Sequence, residues 1–213
     1  MPSHACPPWV AEPDHKLASI ARGLDDFYRF VGRKAKTYPL NVNDIKMWHG
    51  KIFGLAVPLA YYAGNFRGVK DGCPCLAQDV QIGGFPGTPY AEVGSAMSEF
   101  SSELALLITK TDQYSKSTQN LADRLKAAVH LAAFCEGKII QIHPFLNGNG
   151  RMSRITADYL LARYGFPFPF YPPFARPGQT YEQASAPCMV GNYRILFDYL
   201  LTVMVGRVLE VSR

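Results

Sequence analysis

Several features are missing from this 213-residue sequence, and their absence excludes whole classes of protein. No apolar run is long enough to span a membrane, and residues 1–6 lack the apolar core of a signal peptide. Lys and Arg form no block, so the net charge of +5 is spread along the chain and is weak support for nucleic-acid binding. We therefore predict a cytoplasmic globular protein whose partners include neither nucleic acid nor a membrane.

Cysteine is also scarce, with five residues at irregular spacing. An odd and irregular set argues against a disulfide framework, and we expect a reducing compartment. Cys73 and Cys75 are spaced like half of a zinc site, but no second pair at zinc-ligand spacing accompanies them. We interpret them as two incidental thiols in a loop.

The periodicity of apolar residues predicts an all-α protein with one domain over residues 1–213. Residues 1–14 are rich in Pro and small residues and predict a mobile arm, and the core spans about 43–200. Helices are predicted over about 14–36, 44–53 (capped by Asn43), 89–109, 117 or 118 to 143, 151–165, near Tyr181, and 192–208. Four prolines make residues 166–173 non-helical. His49, on an apolar helix face, is interpreted as a hydrogen-bonded core residue.

Residues 64–87 interrupt this helical pattern with six glycines and two prolines. The short alternating run at 79–84 ends in a Gly-Gly pair, which is typical of a tight turn. We predict a small β-hairpin that projects from a helical body. An inert surface hairpin is the alternative.

The most informative segment is Ile142–Arg154, with the sequence IHPFLNGNGRMSR. Pro144 disfavours helical geometry at His143, so the incoming helix should end there. Gly148 and Gly150 allow positive φ and a close approach of the backbone to a ligand. A loop of this kind that opens into a helix presents N–H groups to an anion.

Arg151 and Arg154 strengthen the prediction of an anion site. They share one face of the outgoing helix's first turn, where the helix dipole disfavours cations. An anion between them would remove the repulsion, and a polyphosphate is the natural candidate. His143, at the edge of this site, can exchange a proton near neutral pH.

These residues resemble the Fic family signature, His-x-Phe-x-(Asp/Glu)-Gly-Asn-Gly-Arg-x-x-Arg. Seven of its eight fixed positions match, and the exception is Asn147, where the family usually has an acid. The resemblance implies a Fic-like helical domain and a nucleotidyltransferase, usually a protein adenylyltransferase that moves AMP from ATP to a Ser, Thr or Tyr hydroxyl of a target protein. A DNA-binding protein and a zinc hydrolase fit these residues poorly.

The resemblance also implies a role for each site residue. His143 would be the catalytic base, and Phe145 would anchor the loop in the core. Nucleotide binding would fall to the backbone of the loop, to the Asn149 amide and to the two arginines, with Arg151 on the β-phosphate and Arg154 on the γ-phosphate. The nucleotide-binding set is therefore Gly148, Asn149, Gly150, Arg151 and Arg154.

Asn147 stands where the family's acid binds Mg²⁺, and a neutral amide should bind that ion more weakly. Three outcomes follow: transfer persists because ATP brings its own Mg²⁺, the donor is another phosphate-containing molecule, or the fold binds nucleotide without turnover. The last two form the alternative to adenylyl transfer, namely an interaction module with changed or lost chemistry.

Two further expectations come from the resemblance. A hairpin flap would lie over His143 and hold the target peptide as an added strand, through Gln81, Ile82, Gly83, Gly84 and Phe85. The family's inhibitory motif is matched only by chance at Thr88–Val93 and Ser95–Phe100, so Arg154 should not be blocked within the chain. The protein, a toxin or effector in this interpretation, would be unrestrained or held by a small antitoxin-like partner.

Overall fold

A computed structural model describes residues 6–9, 14–169 and 178–211. The described residues form seven α-helices and one two-stranded hairpin, which confirms the predicted all-α class. The helices are α1 Asp14–Lys34, α2 Val42–Phe53, α3 Val93–Ser117, α4 Leu121–Ile142, α5 Asn149–Arg163, α6 Gln179–Ser185 and α7 Arg194–Val211. None of them is long and apolar enough to cross a membrane.

Helix α4 lies at the centre of the fold, because it packs against α3, α5 and α7. Its apolar side chains are buried on nearly every face, as expected for a helix surrounded by others. Helices α1 and α2 pack on each other and also contact α5. The segment between α4 and α5 is therefore held by the core on both sides.

Helix α4 ends at Ile142, as Pro144 predicts, but the starts of several helices differ from the prediction. Helix α2 is capped by Asn41, not Asn43, because Asn41 and Asp44 form a reciprocal capping box. Helix α4 is capped by Asn120, whose side chain accepts from two backbone N–H groups, and not by Ser117 or Thr118. Helix α3 begins at Val93, after a turn that contains Pro89, and it continues to Ser117.

The hairpin consists of β1, Gln81–Ile82, and β2, Phe85–Pro86, in an antiparallel pair. Gly83 and Gly84 both have positive φ, at 53° and 89°, which is the conformation a two-residue hairpin turn requires. The predicted hairpin is therefore present, and its strands are only two residues long.

The cysteine prediction is wrong in one respect: Cys6 and Cys75 form a disulfide, although 69 residues separate them. Cys73, Cys135 and Cys188 are free thiols. Spacing along the sequence could not reveal the pair, because the chain must fold before the two sulfur atoms meet. The expectation of a reducing compartment loses its basis, since one structural disulfide is typical of an oxidising one.

Two predicted non-helical segments are described only in part. Of the predicted mobile arm, residues 1–5 and 10–13 lie outside the described residues, whereas residues 6–9 are fixed by the disulfide and by contacts given below. Of the proline-rich stretch, residues 166–169 contain no helix, as predicted, and residues 170–173 lie outside the described part.

Candidate functional site

The loop between α4 and α5 is held together from within by the Asn149 side chain. Its Oδ1 accepts a hydrogen bond from the Phe145 N–H, and its Nδ2 donates to the Phe145 carbonyl, both at 2.9 Å. Asn149 is almost completely buried. Its amide was predicted as a phosphate donor; one of its two N–H donors closes the loop, and Asn149 also offers a ligand its backbone N–H.

The start of α5 presents N–H groups without intrahelical partners, as every helix start does. Those of Asn149 and Gly150 have no hydrogen-bond partner among the described residues. The N–H of Gly148 differs, because it donates to Asn147 Oδ1 at 2.6 Å. The helix start therefore offers two N–H groups where the anion site was predicted, while the Gly148 donor is in use.

Only one of the two signature glycines needs its conformational freedom. Gly148 has φ of 81°, and a Cβ there would lie 2.7 Å from the Phe53 ring. Gly150 would also allow positive φ, but it lies within α5 and does not adopt it. It is exposed, so it leaves the helix start open.

His143 caps α4 in the left-handed conformation, at φ of 51°, and is the only non-glycine described residue with positive φ. Its Nδ1 is buried without a hydrogen-bond partner among the described residues. Burial lowers the pKa of His143 to about 4, and the charge of Arg67 acts in the same direction. The imidazole is therefore neutral at pH 7 and able to accept a proton.

Arg67, which the sequence showed only as the end of an Ala-Gly-Asn-Phe-Arg run, proves to be the link between the loop and the hairpin. This buried guanidinium donates to the carbonyls of Ile142 and His143, and to those of Gln78 and Thr88, which flank the hairpin. One side chain thus fixes both roots of the hairpin to the residue predicted to be catalytic.

His49 lies in the core next to the loop and is a hydrogen-bonded histidine, as predicted. Gly64 N–H donates to its Nδ1 at 2.9 Å, so the proton lies on Nε2, which donates to the Asn147 carbonyl at 3.0 Å. The ring stacks on Phe145 with centroids 3.7 Å apart. Phe145 is fully buried, so it is the core anchor that the signature suggested.

The two signature arginines lie on aromatic rings. Arg151 Cζ is 4.6 Å from the centroid of the Phe53 ring, and Arg154 Cζ is 5.8 Å from that of Tyr181. Arg154 is only 9% exposed, which is more buried than a phosphate ligand was expected to be. Neither of the two chance matches to the inhibitory motif brings a carboxylate into an ion pair with Arg154.

Glu136, on α4, is a residue of this site that no sequence pattern identified. It is completely buried, its Oε1 accepts the Tyr181 hydroxyl at 2.5 Å, and its Oε2 has no partner among the described residues. Burial raises its pKa to about 8, against the hydrogen bond from Tyr181 and the charge of Arg154. Glu136 is therefore mostly protonated at pH 7, and Arg154 keeps its positive charge uncompensated by it.

The side chain of Asn147 forms hydrogen bonds within the protein and is not available as a metal ligand. Its Nδ2 donates to the Trp9 carbonyl at 2.9 Å, and its Oδ1 accepts the Gly148 N–H. Among the described residues no three His, Cys, Asp or Glu side chains form a group that could hold a metal ion. The residues therefore do not fit a resident Mg²⁺, and any such ion would have to arrive with the nucleotide.

The hairpin residues predicted to bind a target are accessible. Gln81, Gly83, Gly84 and Phe85 are exposed, and Ile82 is half-buried. Among the described residues no third strand pairs with the hairpin, so both of its edges are unpaired there.

Comparisons with known proteins agree with the signature. The model of the Fic/DOC family matches residues 39–161. The protein adenylyltransferase Fic of Drosophila grimshawi is 35% identical over 162 residues, which are 76% of this chain and 27% of that protein. A Fido domain-containing protein of Dictyostelium discoideum is 41% identical over 63 residues, 30% of this chain and 40% of that protein. The chain thus spans less than half the length of these relatives.

Solved structures show the same fold. Residues 134–508 of Fic-1 from C. elegans superpose with a TM-score of 0.59 at 20% identity, over 89% of this chain and 49% of that one. The BepC effector of Bartonella tribocorum, solved with bound AMPPNP, gives 0.56 at 16% identity, over 90% and 87%. Because the family model covers more than half of the residues and the signature loop lies within the match, this chain belongs to the Fic/DOC family.

Proposed function

We propose that this chain is a protein adenylyltransferase, which moves AMP from ATP to a hydroxyl group of a target protein. The observation that supports this most is the start of α5, where free N–H groups and two arginines lie beside a neutral, partly buried histidine. The Drosophila relatives are named protein adenylyltransferases, and the Bartonella structure binds an ATP analogue.

In the proposed reaction the target hydroxyl oxygen attacks the α-phosphorus of ATP. The imidazole of His143 takes the hydroxyl proton, the bond from the α-phosphorus to the bridging oxygen breaks, and pyrophosphate leaves with the electron pair. A pKa near 4 makes His143 a weak base in the ligand-free protein. The bound phosphates carry negative charge, which raises that pKa toward the range useful for a general base.

The phosphates are proposed to lie on the N–H groups of Asn149 and Gly150, with Arg151 and Arg154 as charged donors. These groups are held in place before the nucleotide arrives, so their orientation costs little at the moment of reaction. Any Mg²⁺ would be brought by ATP itself, because both polar atoms of the Asn147 side chain form hydrogen bonds within the protein. The hairpin would hold the target as an added strand, and a separate antitoxin-like protein is a proposed restraint.

The test is transfer of label from α-³²P-ATP to proteins of a lysate. The wild-type chain should label at least one protein, and His143→Ala should reduce labelling by about a hundred- to ten-thousand-fold. His130→Ala is the matched control, because His130 is exposed on α4, outside the loop. Equal labelling by wild type and His143→Ala would refute the assignment of the base.

A second candidate is a nucleotide-binding module without transfer, and the engagement of Asn147 favours it. Both functional atoms of this amide form hydrogen bonds within the protein, at the position where the family pattern has an acid. This candidate predicts saturable binding of ATP, weakened by Arg151→Ala, with no label transferred. If Asn147→Asp produces transfer that wild type lacks, the native loop binds nucleotide without turnover.

A further inference from the structure

The residues before α1 include a short segment fixed on the fold, which we call the N-terminal strap and define as Cys6–Trp9. The Cys6–Cys75 disulfide holds one end of the strap. The hydroxyl of Tyr62 donates to the Pro7 carbonyl at 2.9 Å. Trp9 is buried, with ring centroids 5.6 to 6.5 Å from those of His49, Phe53 and Tyr62.

The strap ends on the signature loop, where the Trp9 carbonyl accepts the Asn147 Nδ2. This bond fixes the plane of the amide, and in that plane Oδ1 faces the Gly148 N–H. The hydrogen bond between Trp9 and Asn147 thus fixes the amide at the position where the family has a metal ligand. It also keeps the Gly148 N–H, which could bind an anion, on the Asn147 oxygen.

The chemistry of Asn147 fits the strap better than it fits a metal. An aspartate or glutamate at this position is ionised at neutral pH, has no hydrogen to donate, and would repel the Trp9 carbonyl. An asparagine supplies the donor. The departure from the family signature is therefore compatible with the contact to the strap.

We propose that the Cys6–Cys75 disulfide is a redox latch on the signature loop. While the disulfide is intact, the strap holds Asn147 on Trp9 and on Gly148; when it is reduced, the strap leaves and the loop binds Mg²⁺-nucleotide more tightly. This proposal rests on the proposed function only in its choice of ligand.

Reduction is a two-electron step. A dithiol reductant supplies two electrons and two protons, the bond between the two sulfur atoms breaks, Cys6 and Cys75 become thiols, and the reductant becomes a cyclic disulfide. Cys6 is exposed, so a small reductant can reach the pair. Cys73 stays a free thiol throughout and takes no part.

Reduction should raise the affinity for nucleotide, because the strap occupies groups that could bind it. Without the strap, the Asn147 amide loses the Trp9 carbonyl that fixes its plane, and the Gly148 N–H can be released to a phosphate. Regaining such contacts corresponds to a coupling of about five- to tenfold in affinity.

The first experiment needs no nucleotide. Hydrogen exchange of the intact chain is compared with and without dithiothreitol, in peptides that contain Trp9 and Gly148. Reduction should accelerate exchange in both, and Cys6→Ser should exchange rapidly without reductant. Cys73→Ser is the matched control and should keep the wild-type response. No change on reduction would overturn the latch, because the strap would then stay in place without its disulfide.

The second experiment measures the affinity for Mg²⁺-AMPPNP by calorimetry in both redox states. Affinity should rise at least about fivefold on reduction. Asn147→Ala, which cannot hold the strap, should bind with the affinity of the reduced wild type whether or not reductant is present. Unchanged or weaker binding on reduction, with faster exchange at Gly148, overturns the coupling. Failure of every redox state and variant to bind nucleotide refutes the proposed function and leaves the exchange result to decide on the latch alone.

Discussion

The two ends of α5 both carry a buried arginine, but they balance its charge in different ways. At the C-terminal end, Arg163 donates to both carboxylate oxygens of Asp112 and to the Ala35 carbonyl. At the N-terminal end, Arg154 is about as buried, yet no described carboxylate lies within salt-bridge distance of it. Its aromatic neighbour is Tyr181.

The difference is between a charge paired with a carboxylate and one with no carboxylate partner among the described residues. A cation at the C-terminus of a helix is favoured by the helix dipole, and Asp112 also compensates Arg163, so that end is complete without a ligand. A cation at the N-terminus is disfavoured by the same dipole, and the nearby Glu136 is mostly neutral at pH 7. An anion bound at this end would compensate the charge of Arg154.

The largest expected effect is on stability, at the C-terminal end. Arg163→Ala should lower the free energy of unfolding by about 2–3 kcal/mol, because it leaves the carboxylate of Asp112 partly buried without its cation. Denaturant unfolding measures this. The matched control is Arg194→Ala, which breaks an exposed Arg–Asp pair on α7 and should change stability little. Equal losses in the two variants would contradict a structural role that is special to Arg163.

The N-terminal end of α5 is supported by the buried His49, and acid should weaken this support. Burial lowers the pKa of His49 to about 3 from an ordinary 6.5, so the unfolded chain binds this proton more readily than the folded one. Stability should therefore fall as the pH drops below 6.5, by about 2 kcal/mol at pH 5 from this group alone.

Unfolding curves between pH 7 and 5 test the acid effect. His49→Asn should be less stable at pH 7 but should lose less stability on acidification, because the group that titrates is gone. His130→Asn, which changes an exposed histidine, should keep the wild-type slope. A wild-type slope in His49→Asn would assign the acid sensitivity to another group, with His143 the next candidate.

A smaller effect is expected on ATP binding, and it tests the N-terminal end of α5. Arg154→Ala should weaken ATP binding by about tenfold, since a charged hydrogen-bond donor to phosphate is lost. Arg163→Ala, measured at a temperature where it is folded, should bind ATP with the wild-type affinity. If both variants lose the same affinity, the two ends of α5 do not differ in function.

A comparison of the sequence with the structure shows which features the local sequence could predict. Pro144 ends α4, the Gly83–Gly84 turn forms the hairpin, and the glycines and arginines of the signature mark an anion site, because each depends on neighbours in the chain. Helix starts were less certain, since several Asn, Ser and Thr side chains compete to cap the same end. Asn41 prevails over Asn43 through its reciprocal bonds with Asp44.

What could not be predicted depends on residues far apart in the sequence. The Cys6–Cys75 bond and the contact of Trp9 with Asn147 join the N-terminus to the site across 69 and 138 residues. The hydrogen bonds of the Arg67 side chain and the burial of Glu136 arise only when the helices pack. The residue types at the site could be predicted, but their partners could not, such as the Phe145 backbone for Asn149 and the Trp9 carbonyl for Asn147.

The smallest expected effect concerns Glu136 and pH. Above about pH 8 this carboxyl ionises in the folded protein and competes with phosphate for Arg154, so ATP affinity should fall roughly three- to fivefold between pH 7 and 9. Tyr181, Asp158, Cys188 and Tyr199 also interact electrostatically with Glu136.

Calorimetry across this pH range, with Glu136→Gln beside the wild type, isolates the carboxyl. The variant keeps the hydrogen bond from Tyr181 but cannot ionise, so its affinity should stay constant where that of the wild type falls. Glu103→Gln removes a half-exposed carboxylate that pairs with Lys138, also on α4, and should keep the wild-type decline. A decline that persists in Glu136→Gln would show that Arg154 responds to a group other than this carboxyl.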